Sequence, residues 1–454
     1  MKLSRLFIFF YLISFGLFAD EQAFIVDAKV MEFDANTQLL KAKDVVIAFK
    51  NGAKLMSHSA ELDFESLSGV MSSGEDDEFV VFTGMITDKN EKPRPIVVKG
   101  KVMIVEIQES ETNSSQQRIE VVAEKDVEIL YDRDFTAYGD RAVFRNEKVD
   151  ELDFSSLTDS GTLTLEGESE EHLCRVEHKN GDVIEALRMS FLPFENQIDG
   201  WHVHGSITSI GKLREVIVKS DHICWLPKEK VIRLDGKSLI LDEEVGSLMS
   251  NGSLEIIREG PSENAPIKKV VAKGEVRFDH SDEEHSLGGF GKMVLDYQEK
   301  KLVITSPKDK NGFTSPSQQA FFKDSVGKIY ADSFEITYEL EKNQVKPIDV
   351  LIKGNVRMQN QYIPDTTIRE ILEQYAIADV VKYSPSTNKM ILKASRGNRV
   401  LYYDKTKGIQ VSAPGLFIVR GSNDEFKVRG KGNVRLKFTQ NEIAELQKYF
   451  PFLQ

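Results

Sequence analysis

The chain has 454 residues and a formal net charge of −13, with 29% charged and 41% hydrophobic residues. That hydrophobic content excludes a disordered polyelectrolyte, and the acidic balance argues against general nucleic-acid binding. Two cysteines, Cys174 and Cys224, are too few for a disulfide scaffold or a cysteine zinc site.

Lys2 and Arg5 precede an apolar stretch from Leu6 to Phe18, followed by the small Ala19 and the polar Asp20. This layout predicts a secretory signal peptide over 1–19 and an exported chain. The alternative is a retained anchor, but a spanning helix needs ~20 apolar residues and this stretch is shorter.

Beyond residue 20 the dominant period is two, the spacing of a half-buried strand. In a first β unit, 20–110, DAKVMEFDANTQLL at 27–40 and KDVVIAF at 43–49 put Phe33, Val45, Ile47 and Phe49 on one face. A β-rich middle region, 118–306, holds KDVEILY at 125–131 and KGEVRFDH at 273–280, the latter with Val276 and Phe278 on one face. The C-terminal units, 322–438, hold KGNVRMQN at 353–360, with Val356 and Met358, and KGNVRLKF at 431–438, with Val434, Leu436 and Phe438. Polar stretches Ser72–Glu78, Glu109–Gln117 and Lys308–Gln319 read as loops and set boundaries near 110–118 and 306–322. Helical spacing is scarce. It predicts one helix over Pro364–Tyr375 and a second over Gln440–Phe450, inside a C-terminal segment 439–454.

The KG-led strings recur at intervals of about 80 residues, as a repeat protein requires. Each follows a second signature: a small residue, an alternating run and a turn, as in YADSFEITYELEKN at 330–343 and AIADVVKYSPSTNKMIL at 376–392. The fold predicted is all-β, a stack of antiparallel hairpins that bury a common apolar face. Cys174 and Cys224 both fall in strand-like runs, where they either pair in an oxidising compartment or remain two buried thiols.

From Val380 to Lys437 there are thirteen Lys and Arg against three acids. Such a segment is either a solvated basic face or a site for phosphates and anionic head groups. Trp201-His202-Val203-His204 offers two imidazoles, with no matching ligands at metal-binding spacing. Asp279–His285 reads as a solvated hairpin loop, and GGFG at 288–291 opens no helix and so makes a poor nucleotide motif. No catalytic centre, metal or cofactor is expected.

The strings at 27–64 and 394–438, together with 328–358, resemble the OstA-like family of lipopolysaccharide-transport proteins, the periplasmic LptA type. The resemblance implies an extended, twisted antiparallel β-jellyroll built from OstA-like hairpin units, here with one or two short helices. It implies a periplasmic carrier or bridge that moves lipopolysaccharide from inner to outer membrane, with acyl chains in an apolar trough lined by the residues named above. Phosphates would meet Arg396, Arg399, Arg429, Lys431, Arg435 and Lys437. Partners would be inner- and outer-membrane transport proteins, joined by β-edge pairing, and further copies of the chain joined head to tail. Alternation alone does not separate an open trough from a filled core, which leaves a structural β-repeat scaffold of the envelope as the alternative.

Overall fold

A computed structural model describes residues 24–438, apart from 50–51, 67, 75–77, 88–91, 110–116, 150–160, 210–213, 244, 261–264, 282–283, 326, 342–343, 363–371, 406–407 and 421–425. The expected leader, 1–19, and the expected C-terminal helix within 439–454 lie outside the described residues. Described here are thirty-one strands and two single-turn 3₁₀ segments, Pro316–Gln318 and Pro385–Thr387. The protein is all-β and jellyroll-like.

The chain forms two compact units. The first runs to Lys179 and includes Glu185–Asp199; the second takes Asn180–Ile184 and the chain from Gly200. The boundaries expected near 110–118 and 306–322 do not separate units. The strands on either side of 110–116, Val102–Glu109 and Gln117–Tyr131, pair with each other along the whole length of the first, with Glu109 opposite Gln117. Across 306–319 the sheet continues, because Ser286–Asp296 pairs both with Lys301–Thr305 before the loop and with Ala320–Lys323 after it.

Long strands run through two facing leaves, and shorter strands extend each leaf. In the first unit, Gln117–Tyr131 pairs through residues 117–124 with Val102–Glu109 and through residues 128–131 with Pro93–Gly100. Its other side pairs with Phe135–Val149, which in turn carries Thr162–Glu166 on residues 141–145 and Cys174–His178 on residues 135–138. The leaves meet through apolar side chains, with the rings of Tyr131 and Phe191 edge to face at 4.5 Å. The second unit ends the same way. Residues 374–377 of Leu372–Ser384 pair with Val400–Asp404, followed by Ile409–Ala413 and Arg435–Phe438. Residues 380–384 of the same strand pair with Lys389–Lys393, followed by Gly415–Arg420 and Phe426–Lys431.

The repeated strings mark the corners of this arrangement. Gly274, Gly354 and Gly432 have φ of 102°, 79° and 87°. The weaker copies behave likewise, with φ of 50° at Asp44, 63° at Lys125 and 53° at Asp126. The register slips by a residue beside two of these corners, between Glu124 and Val127 and between Lys353 and Val356. An inserted residue in left-handed backbone is a β-bulge, which bends a strand and raises its twist. Glycine, asparagine and aspartate tolerate that conformation best. Gly236, Gly252, Gly274 and Gly291 lie directly opposite one another on four successive strands, so one corner is a row of glycines.

Bending a sheet disturbs its ladder, and polar side chains repair the damage. Ser220 Oγ donates to the carbonyl of His222 at 2.8 Å and lies 2.9 Å from Ser238 Oγ. Ser250 Oγ donates to the Lys273 carbonyl at 2.9 Å. The aspartate of the second signature does the converse: its carboxylate accepts a backbone N–H beside the corner. Asp140 takes that of Glu168 at 2.7 Å, Asp221 that of Lys237 at 2.8 Å, and Asp379 that of Ser395 at 2.5 Å. The Ser395 amide, with Asn398 as a further donor, holds the Asp379 carboxyl below the usual range despite partial desolvation. A depressed carboxylate adds stability above its unfolded pKa of ~3.9 and loses it as pH falls through the folded value. The melting temperature is therefore expected to hold from pH 8 to 5 and to fall below about pH 4. Asp379→Asn should flatten that acid limb; an unchanged limb would show that the corner carboxylate does not contribute to it.

One local expectation is corrected here, and the two alternatives for the cysteines are separated. Leu372–Tyr375, expected in a helix, belongs to the strand Leu372–Ser384, where pairing with residues 359–362 and 403–404 overrides the helical spacing. The rest of that predicted helix, 364–371, lies outside the described residues. Cys174 and Cys224 are both buried and are not bridged to each other. Cys174 Sγ points at the Ala186 carbonyl, 2.9 Å away, and burial pushes its pKa up to about 12.

Candidate functional site: the inner faces and the terminal strands

Cross-strand pairing identifies the inner face, because directly opposed residues share a side. Val45 and Ile47 are inward and buried, as are Val276 and Val356. Phe33, Phe49, Phe278 and Met358 are half-buried. Where the leaves of the first unit meet at Ile129, Tyr131, Leu165 and Met189, the remaining gap is about 40 Å³. Ligand pockets begin at ~300 Å³, so this region is a packed core with room for about one water.

The terminal strands differ. Phe24–Asp34 pairs with Leu39–Phe49, and Met31 and Phe33 lie opposite Ala42 and Leu40 on the inner side. Leu40 and Val45 are 2% and 1% exposed, whereas Met31 is 38% exposed. At the other terminus Leu436 lies opposite the buried Val411, yet Leu436 is 55% exposed and Val434 39%. Val428, opposite Ile418 on the second leaf, is half-buried. Phe438 pairs with Ile409 through its backbone, and its side chain is outside the described residues. Each terminal strand also presents an edge with no partner among the described residues. Apolar inner positions on the first and last described strands are therefore exposed.

The six cations expected to meet phosphates are not brought together. Arg429 and Lys431 point outward from the leaf of Phe426–Lys431. Arg435 and Lys437 belong to the other leaf and are exposed. Arg396 is exposed in the 395–398 turn. Arg399 is a structural tie: its guanidinium donates to Ser412 Oγ and the Ser412 carbonyl at 2.7 Å and to the Asn433 carbonyl at 2.6 Å. It thus holds the last KGN corner against its neighbour.

The remaining motifs also resolve into architecture. His202 of the Trp-His-Val-His run has φ of 53° and occupies a corner, while the Trp201 ring packs on His222 at 5.4 Å. His280 and His285 close the hairpin between Ile267–His280 and Ser286–Asp296, with the His280 amide donating to the His285 carbonyl at 2.9 Å. Among the described residues no three His, Cys, Asp or Glu side chains are grouped to hold a metal ion.

Sequence reasoning missed the buried pair of Asp182 and Arg258, which are 1% and 5% exposed and joined at 2.8 Å. Their separation of 76 residues leaves no local signal. It also missed the glycine row, since unequal strand and loop lengths hide the alignment.

No protein-family description and no curated protein matches this sequence. Among solved structures there is a likeness to LptH, the LptA-homologous periplasmic component of the lipopolysaccharide transport device from Pseudomonas aeruginosa. The two chains are 9% identical, with a TM-score of 0.23 over 32% of this chain and 88% of that one. The architecture by itself defines a jellyroll-like β protein with bent strands and uncovered terminal strands.

Proposed function

We propose that this chain is a non-catalytic envelope protein, exported by its first nineteen residues to the periplasm, that carries or bridges lipopolysaccharide between the two membranes. The observation that carries this reading is the uncovered apolar inner position on each terminal strand, beside an edge with no partner among the described residues. Covering Met31 or Leu436 contributes roughly 1–2 kcal/mol each. An acyl chain lying along the inner face supplies that cover, as does the next strand of a partner added at the edge. Strand addition is the natural route to inner- and outer-membrane partners and to copies joined head to tail, because a bare edge is otherwise a liability.

Photo-crosslinking in intact cells tests this reading. A photoreactive residue at Met31, Phe33 or Leu436 is expected to give lipopolysaccharide adducts. The same residue at the outward Arg435 or Lys437 is expected to give none. If a folded, exported protein gives no adducts at any of the three inward positions, the lipid reading fails. The alternative is a scaffold that binds no lipid, and the specific observation favouring it is the filled core between the leaves of the first unit.

A further inference from the structure

The outer surface of one leaf is a continuous cationic face. Register places Lys382, Lys389, Lys393, Lys427, Arg429 and Lys431 on the same outward side of four neighbouring strands. On the inner side of those strands lie the buried Val381, Leu392 and Leu416. All six cations are exposed, and none makes an ion pair among the described residues. The other outward positions on these strands are Val380, Ser384, Ile391, Gly415, Phe417 and Val419, so none of the described outward positions on the face is a carboxylate. Among the described residues, acids reappear on the outward side of the adjoining strand at Asp349, level with Ser384, and on the strand after it at Glu335.

From this we infer that the outer face of the Lys389–Lys393, Gly415–Arg420 and Phe426–Lys431 leaf docks on an anionic bilayer surface. This rests on the envelope reading above and adds a surface that the reading does not use. Three features select a bilayer over a discrete phosphate. The face lies on the side of the leaf opposite its apolar lining, so a lipid whose acyl chains lie inside cannot also present phosphate here. Five of the six cations are lysines, which act as point charges, whereas bidentate capture of one phosphate favours arginine. The charges are also spread on a plane. Strands ~4.8 Å apart place cations on alternate strands about 10 Å from one another. That is near the Debye length of ~8–10 Å, so their fields merge into one attractive surface. Ile391 and Phe417 in the middle of the face would settle against the interface.

The experiment is co-sedimentation of the full chain with vesicles of phosphatidylglycerol and phosphatidylcholine, compared with phosphatidylcholine alone. Binding is expected to the mixed vesicles only, and to weaken at least about tenfold between 50 and 300 mM NaCl. Combining Lys382→Glu, Lys389→Glu and Arg429→Glu should weaken it about 100-fold. The same charge change on the opposite leaf, Arg357→Glu, Arg435→Glu and Lys437→Glu, should leave it within about threefold. If the triple Glu variant does not fold, the corresponding Gln set gives the same reading with a smaller loss. The proposal is overturned if the wild type ignores anionic vesicles, if both triple variants lose binding equally, or if heparin or an acidic protein is bound in preference to vesicles. Vesicle binding is read without cargo. Its failure beside intact Leu436 crosslinks removes only the docking face, and lost crosslinks beside intact vesicle binding remove only the cargo reading.

Discussion

Replacing Arg258 with methionine is expected to destabilise the second unit by about 3–5 kcal/mol, because it strands a buried carboxylate. The Arg258 guanidinium donates to both Asp182 oxygens, at 2.8 and 3.0 Å, and to the carbonyls of Thr208 and Ala265 at 3.0 and 3.1 Å. Asp182 also accepts from the Thr208 amide at 2.8 Å and from Asn180 Nδ2 at 2.9 Å. Every partner in the cluster is satisfied, the condition under which a buried ion pair offsets its desolvation. Thermal unfolding should register the loss as a fall of about 10 °C or more. Combining Arg258→Met with Asp182→Leu should recover much of it, since removing both charges leaves only backbone groups to satisfy. A loss below about 1 kcal/mol for the single variant would mean that water reaches the pair.

The second large effect is expected at a corner. Gly274→Val should cost about 2–4 kcal/mol, for two separable reasons. Valine in left-handed backbone is strained, because its branched Cβ crowds the adjoining carbonyl. In addition, a Cβ there would sit 2.9 Å from the Asn251 carbonyl oxygen and 3.2 Å from the Gly252 Cα, both backbone atoms with little room to yield. Gly312, with φ of 82° and nothing within 4 Å of the same position, isolates the first contribution. Gly312→Val should therefore cost about 1–2 kcal/mol, the strain alone, whereas Gly312→Asn should cost less than about 0.5 kcal/mol, since asparagine accepts that conformation. Equal melting temperatures for Gly274→Val and wild type would remove the corner from the account of the fold.

The strand content was legible because alternation is a local signal. Val45, Ile47, Val276 and Val356 all lie where a two-residue period puts them. The KG strings were legible as a repeat, but their role was not. Alternation carries through Gly354 from Ile352 to Val356, so nothing in the string reveals that the backbone bends there. The predicted helix failed for the opposite reason. Ile371 and Leu372 have helical spacing, but Leu372–Tyr375 finds strand partners far along the chain, and pairing decides its state. Exposure at the terminal strands was illegible in principle. Leu436 sits in nearly the same string as Met358, but no strand among the described residues follows it to cover it. The surplus of cations near the C-terminus was visible, but its division between the outer faces of two leaves depends on the corner at Gly432, between Lys431 and Arg435. That is why six cations expected to act together are found apart.

Successive strands here mostly pair with the ones just before and after them, which has a kinetic consequence. Loop closure is cheap at every step, so contact order stays low for a β protein and ordering can advance from either terminus. A chain released gradually, by a ribosome or through a narrow channel, can add one bent strand at a time to those already formed. Throughout that process the growing end is a sticky template, and only the next segment of the same chain quiets it. Slowing synthesis midway should therefore trap intermolecular dimers joined at whichever strand happened to be last.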